Sequence, residues 1–68
     1  MIMNLILNGK PYVHRGEGAL SSLIEEQKLV PEHVAVMIND RIVPRADFQR
    51  TMLNHGDKVE ILSFAGGG

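Results

Sequence analysis

The spacing of apolar residues changes period along the chain, and the changes mark the elements. From Ile2 to Leu7 the period is two, with Met3, Leu5 and Leu7 on one face, which predicts a strand. Asn8-Gly9 follows, a pair that tolerates positive φ and closes tight hairpins, so Pro11–His14 reads as the returning strand. Pro11 lacks an N–H and belongs at a strand start or on an edge. Gly16-Glu17-Gly18 breaks the hairpin. Ala19–Leu29 then switches to helical spacing, with Leu20, Leu23 and Ile24 on one face and Ser21, Ser22, Glu25 and Glu26 on the other. Lys28 falls in the expected last turn, where a cation suits the helix dipole, and Pro31 is the expected stop.

Val34–Ile38 returns to period two and predicts a third strand, and Asn39-Asp40 is a second turn signal. Ile42-Val43 reads as a short fourth strand, limited to an edge by Pro44. The connector Arg45–Leu53 holds room for a short helical turn, and its apolar members Phe48, Met52 and Leu53 are expected to tuck beneath the sheet. After Gly56-Asp57, the last strand Lys58–Phe64 alternates Val59, Ile61 and Ser63 against Glu60, Leu62 and Phe64.

The order is β-β-α-β-β-β, an α+β chain in which one amphipathic helix must cover one face of a mixed sheet of about five strands. A hairpin followed by a helix crossing to another strand is the arrangement of a ubiquitin-like β-grasp. The first and last strands then lie side by side at the sheet centre, and here they are the two most apolar ones. Residues 1–64 are read as this single domain, and residues 65–68 as a flexible C-terminal glycine tail.

Composition narrows the function classes. At 68 residues, 44% apolar and without cysteine, the chain must rely on one small core, with no disulfide or thiolate metal site. The net charge of −1 comes from scattered charges and aromatics are few, so no nucleic-acid surface is expected. No apolar run approaches the ~20 residues of a membrane helix and no leader is read at the N-terminus, so the expectation is a cytoplasmic protein with no membrane partner. His14, His33 and His55 are too dispersed for a metal motif and are expected at the surface. Ser21 and Ser22 have no base within reach by sequence, and no constellation of an enzyme emerges. Arg45 is expected to pair with Asp47 or Glu60, with a partner contact as the alternative.

The remaining candidate is the end, Ser63-Phe64-Ala65-Gly66-Gly67-Gly68. Residues without Cβ suit passage through a narrow channel and close approach to another group. Leu62 and Phe64 face away from the expected helix beside this tail, and Ala35 and Met37 share their face if the third strand neighbours the last. An apolar cluster on an open sheet face points to a docking partner.

Three stretches, "LILNGK", "INDRIVPRADF" and "HGDKVEILSFAGGG", together with the helix cover almost the whole chain. They resemble the ThiS family of thiamin-biosynthesis sulfur carriers, in the ThiS/MoaD branch of the ubiquitin-like β-grasp superfamily. Phe48 stands where that family often has tryptophan. The resemblance implies a protein co-substrate, not an enzyme. The Gly68 carboxylate would be adenylated by a ThiF-type adenylyltransferase using ATP, with no cofactor bound by the carrier. A sulfur donor protein would convert it to a thiocarboxylate, and a ThiG-type thiazole synthase would receive the sulfur. Gly66 and Gly67 would serve as the tail, and Leu62, Phe64, Met37, Ala35 and Arg45 as the partner interface. The alternatives are the small subunit of molybdopterin synthase, whose members often carry proline before the terminal glycines, and a plain β-grasp interaction module.

Overall fold

The computed structural model describes residues 2–64. Strand β1 (Met3–Leu7) and strand β2 (Lys10–His14) form an antiparallel hairpin with Leu7 opposite Lys10. Asn8 and Gly9 make its two-residue turn with φ of 50° and 83°, the left-handed pair that matches strand twist. Helix α1 (Leu20–Glu26) crosses to strand β3 (Val34–Ile38). Strand β4 (Arg41–Val43) returns through Asn39 and Asp40, again both at positive φ, and strand β5 (Lys58–Ser63) closes the sheet. The strand order is β2-β1-β5-β3-β4, with β1 and β5 parallel at the centre and β3 antiparallel to β5. This is the expected ubiquitin-like β-grasp.

The core lies between α1 and one sheet face. Leu20, Leu23 and Ile24 of the helix are fully buried against Met3, Leu5, Val34, Val36, Val59 and Ile61, and Phe48 and Leu53 close the side. A seven-residue helix is marginal alone, so this packing is what maintains it. Its start carries no side-chain cap. Instead the Leu20 N–H donates to the Thr51 carbonyl (2.8 Å) and the Leu53 N–H to the Gly18 carbonyl (2.8 Å), a short ladder that docks the connector onto the helix.

Several expectations need correction. The helix ends at Glu26 rather than Leu29, three residues short of the expected end. Lys28 adopts φ of 60°, its N–H donates to the Glu25 carbonyl, and the Leu29 N–H donates back to the Ile24 carbonyl. These are the two bonds of a Schellman ending, with lysine in the place usually held by glycine. Lys28 therefore lies beyond the helix, and Pro31 opens a 3-10 turn, Pro31–His33, instead of stopping α1. Met52 is 62% exposed, because the bridge it forms with Ala19 turns its side chain outward while Phe48 and Leu53 fill the space beneath. Ser63 shares the face of Val59 and Ile61 but is exposed.

His14 is the largest departure: it is 0% exposed. Its Nε2 faces the Glu17 carbonyl at 2.6 Å and its Nδ1 faces Glu26 Oε1 at 2.7 Å. The Glu17 carbonyl only accepts, so Nε2 donates to it, and Nδ1 and Glu26 Oε1 share the second hydrogen bond. Glu26 also accepts from the Tyr12 hydroxyl (2.8 Å) and the Arg15 N–H (3.2 Å). The His14 bond first, and the Tyr12 and Arg15 bonds after it, hold the Glu26 carboxyl below its ordinary range, against the opposing effect of partial burial. Tyr12 is raised, chiefly by desolvation and then by its bond to Glu26. Nothing in the spacing of His14 announces this, because its partners come from the helix end and a glycine loop.

Candidate functional site

Among the described residues, no element covers the face of the sheet opposite α1. On it the antiparallel register sets Leu62 of β5 beside Ala35 of β3, and Glu60 beside Met37, which in turn pairs with Ile42 of β4. These side chains and Asn8 line a shallow concavity of about 270 Å³. Two of its apolar members are well exposed, Leu62 at 68% and Ile42 at 76%, while Ala35 and Met37 are half-buried. Ordinary pleating accounts for the pattern, since residues 60 and 62 alternate with the buried 59 and 61.

Phe64 follows on the same period and is 53% exposed. Its N–H donates to the His33 carbonyl at 2.7 Å, carrying the β3–β5 ladder one step past the strand end. Gly66, Gly67 and Gly68 lie outside the described residues, and the described part of the site ends at Phe64.

Two asparagines hold β5 in place. Past the end of β1, the Asn8 side chain replaces a missing strand partner: its Oδ1 accepts the Ile61 N–H (2.8 Å) and its Nδ2 donates to the Ile61 carbonyl (3.3 Å). On the opposite side Asn39 Oδ1 accepts the Lys58 N–H (3.0 Å) and Nδ2 donates to Asp57 (3.0 Å). Both residues are turn formers, as expected, but each also gives its amide to the central strand. Lys58 bridges to Asp40 at 2.9 Å, a bond that raises its pKa.

The structure brings Ala35, Met37 and Leu62 together, with Phe64 just past the end of β5. Ile42, Glu60 and Asn8 join them and were absent from the sequence-based set. The hairpin signal at Asn39-Asp40 contains the missing information for Ile42, since a two-residue turn sets it opposite Met37. Arg45 stands apart. It lines a groove on the helix side with Ser21, Glu25 and Glu32, and its Nη2 donates to the Glu32 carbonyl at 3.1 Å. It pairs with neither Asp47, which Arg50 takes at 2.9 Å, nor Glu60.

A larger hollow of about 450 Å³ beside β4 is wide open to solvent, and its carboxylates are already engaged: Asp47 by Arg50, Asp57 by Asn39 and the Asn54 N–H. Among the described residues no three potential ligands group to hold a metal, and no helix is long and apolar enough to cross a membrane.

Comparison with known proteins agrees with this geometry. The crystal structure of a thiamine biosynthesis protein (ThiS) from Geobacter metallireducens superposes with a TM-score of 0.79 at 38% identity, covering 97% of this chain and 100% of that one. A thiazole synthase of Paramagnetospirillum magneticum is 35% identical over 66 residues, covering 97% of this chain. The chain spans only 20% of that relative's length. The uncharacterized protein ycf40 of Pyropia yezoensis is 33% identical over 66 residues and is covered over 93% of its length. Residues 5–68 match the ThiS family, and the chain belongs to that family.

Proposed function

We propose that this chain is a sulfur carrier of thiamin biosynthesis, a protein co-substrate whose reacting group is the Gly68 carboxylate. The observation that carries this reading is the family match, which runs through Gly68 on a β-grasp domain. A carboxylate is a poor acyl donor because its oxygen leaves badly and its charge repels nucleophiles. Reaction with ATP on an adenylating partner gives an acyl-adenylate and releases pyrophosphate. A sulfur nucleophile then displaces AMP, which departs with one of the former carboxyl oxygens. The net change is one oxygen replaced by sulfur at Gly68. The acceptor is a thiazole synthase, a reading supported by relatives of that name that contain a segment similar to this chain.

The open-face concavity supplies the docking side of this reading. Ordering a glycine segment in a partner costs roughly 1–2 kcal/mol per residue, and burial of Leu62, Ile42, Met37 and Phe64 is available to offset it.

Intact mass spectrometry tests the proposal. With ATP, a ThiF-type activating enzyme and sulfide, the chain gains the mass difference between sulfur and oxygen, and a variant ending at Gly67 does not. Leu62→Asp leaves the circular dichroism spectrum intact and raises KM for the activating enzyme. An unchanged mass with a demonstrably active activating enzyme refutes the reading.

A further inference from the structure

We infer that Arg45 is a positioning residue that sets where the C-terminal segment leaves the domain, acting through the 3-10 turn Pro31–His33. This inference rests, for its functional consequence, on the reading that Gly68 bears the reacting carboxylate.

The turn presents four consecutive carbonyls, which have three kinds of partner. The Val30 carbonyl accepts the His33 N–H (2.8 Å) and the Pro31 carbonyl accepts the Val34 N–H, both within the turn. The His33 carbonyl accepts the Phe64 N–H (2.7 Å), the last bond of the sheet among the described residues. Among the described residues the Glu32 carbonyl has neither a turn partner nor a strand partner, and the Arg45 guanidinium supplies one at 3.1 Å. Removing that donor releases the peptide group next to the one that holds Phe64.

Arg45 is itself well placed to act as a strut. Its carbonyl accepts the Phe48 N–H (3.1 Å), and Phe48 is buried in the core. Its side chain makes no ion pair among the described residues, and the neighbouring carboxylate of Asp47 is occupied by Arg50. The guanidinium thus donates to a backbone oxygen, at an exposed position. A continuous path runs from the core at Phe48, through Arg45 and the turn, to the amide of Phe64.

The position of that root matters because, in that reading, Gly68 is close to it along the chain. From Phe64 to Gly68 the chain at full extension spans at most ~14 Å. A shift of the root by a few ångströms is a large share of that reach, so it is felt at the carboxylate.

Amide hydrogen exchange followed by NMR on the full chain, combined with thiocarboxylation kinetics, tests the inference. Arg45→Met keeps the stem and removes the donors. It speeds exchange of the Phe64 amide roughly three- to ten-fold, the change in open population expected for one lost hydrogen bond. Exchange at Ile24 stays constant, which shows the core is unaltered. The same variant raises KM for the activating enzyme with kcat unchanged, and Arg45→Lys, which retains one donor, recovers part of both effects. Arg50→Met, which removes a nearby cation without touching the turn, changes neither. If Phe64 exchange is unchanged in Arg45→Met while KM rises, Arg45 grips the partner directly and the inference is overturned. It is overturned equally if Arg50→Met reproduces the KM effect. If the unmodified chain is never thiocarboxylated, the functional reading fails, while the exchange measurement still decides whether Arg45 holds the root.

Discussion

Replacing Glu26 by glutamine is expected to be among the most damaging single changes to this domain outside the apolar core. The carboxylate accepts from His14 at 2.7 Å, Tyr12 at 2.8 Å and the Arg15 N–H at 3.2 Å. A glutamine can preserve one acceptor oxygen, but its NH₂ then points at a donor. Each hydrogen bond to a charged group is worth roughly 1.5–3 kcal/mol, and removing one partner of a buried pair costs 3–5 kcal/mol. Because Glu26 is 28% exposed and water can reach part of the site, the lower range applies, about 2–3 kcal/mol. A 68-residue domain has a total stability of roughly 3–10 kcal/mol, so the loss lowers Tm by about 10–20 °C. Urea unfolding of both proteins between pH 7 and pH 3 is the assay. The Glu26 carboxyl is depressed in the folded state, so its contribution is complete above the ordinary carboxylate pKa and is lost as pH falls through the lower folded value. The gap between Glu26→Gln and the unmodified chain therefore closes on acidification from about pH 5 downward. A gap under ~0.5 kcal/mol at pH 7, or one that is constant across the acid range, would refute the reasoning.

Two further outcomes follow from local geometry. A Cβ at Gly16 would collide with the Ser22 hydroxyl and sit 2.9 Å from His14 Cε1, so Gly16→Ala destabilises by roughly 1–3 kcal/mol, and Ser22→Gly in the same chain restores part of it in a thermal melt. Asn8→Gly keeps the left-handed turn but removes both side-chain bonds to Ile61, so it costs roughly 1–2 kcal/mol by urea unfolding; a loss no larger than a few tenths would show that the amide does not hold β5.

Much of the fold was legible because it rests on period and turn chemistry. Val34–Ile38 matches β3 residue for residue, and Asn8-Gly9 and Asn39-Asp40 form two-residue turns. The end of α1 was not legible, since the left-handed residue that terminates it is Lys28, and lysine carries no sequence signal for that conformation. Met52 was misplaced because a helical or strand period cannot be read through a connector. The docking face was half legible: Leu62 and Met37 follow from alternation, whereas Ile42 needed the β3–β4 register.

By itself the sequence determined what each stretch could become, because hydrophobic period, positive-φ turn residues and the absence of cysteine act locally. It also contained the family resemblance that points to Gly68. Only the tertiary structure decided which distant groups meet. It buried His14 between Glu26 and the Glu17 carbonyl, gave the Asn8 amide to Ile61, and turned Arg45 from an expected ion pair into a donor for the Glu32 carbonyl. The physical reason is that each of these choices satisfies a polar group left over when the strands and helix pack, and which groups are left over is a property of the packed whole.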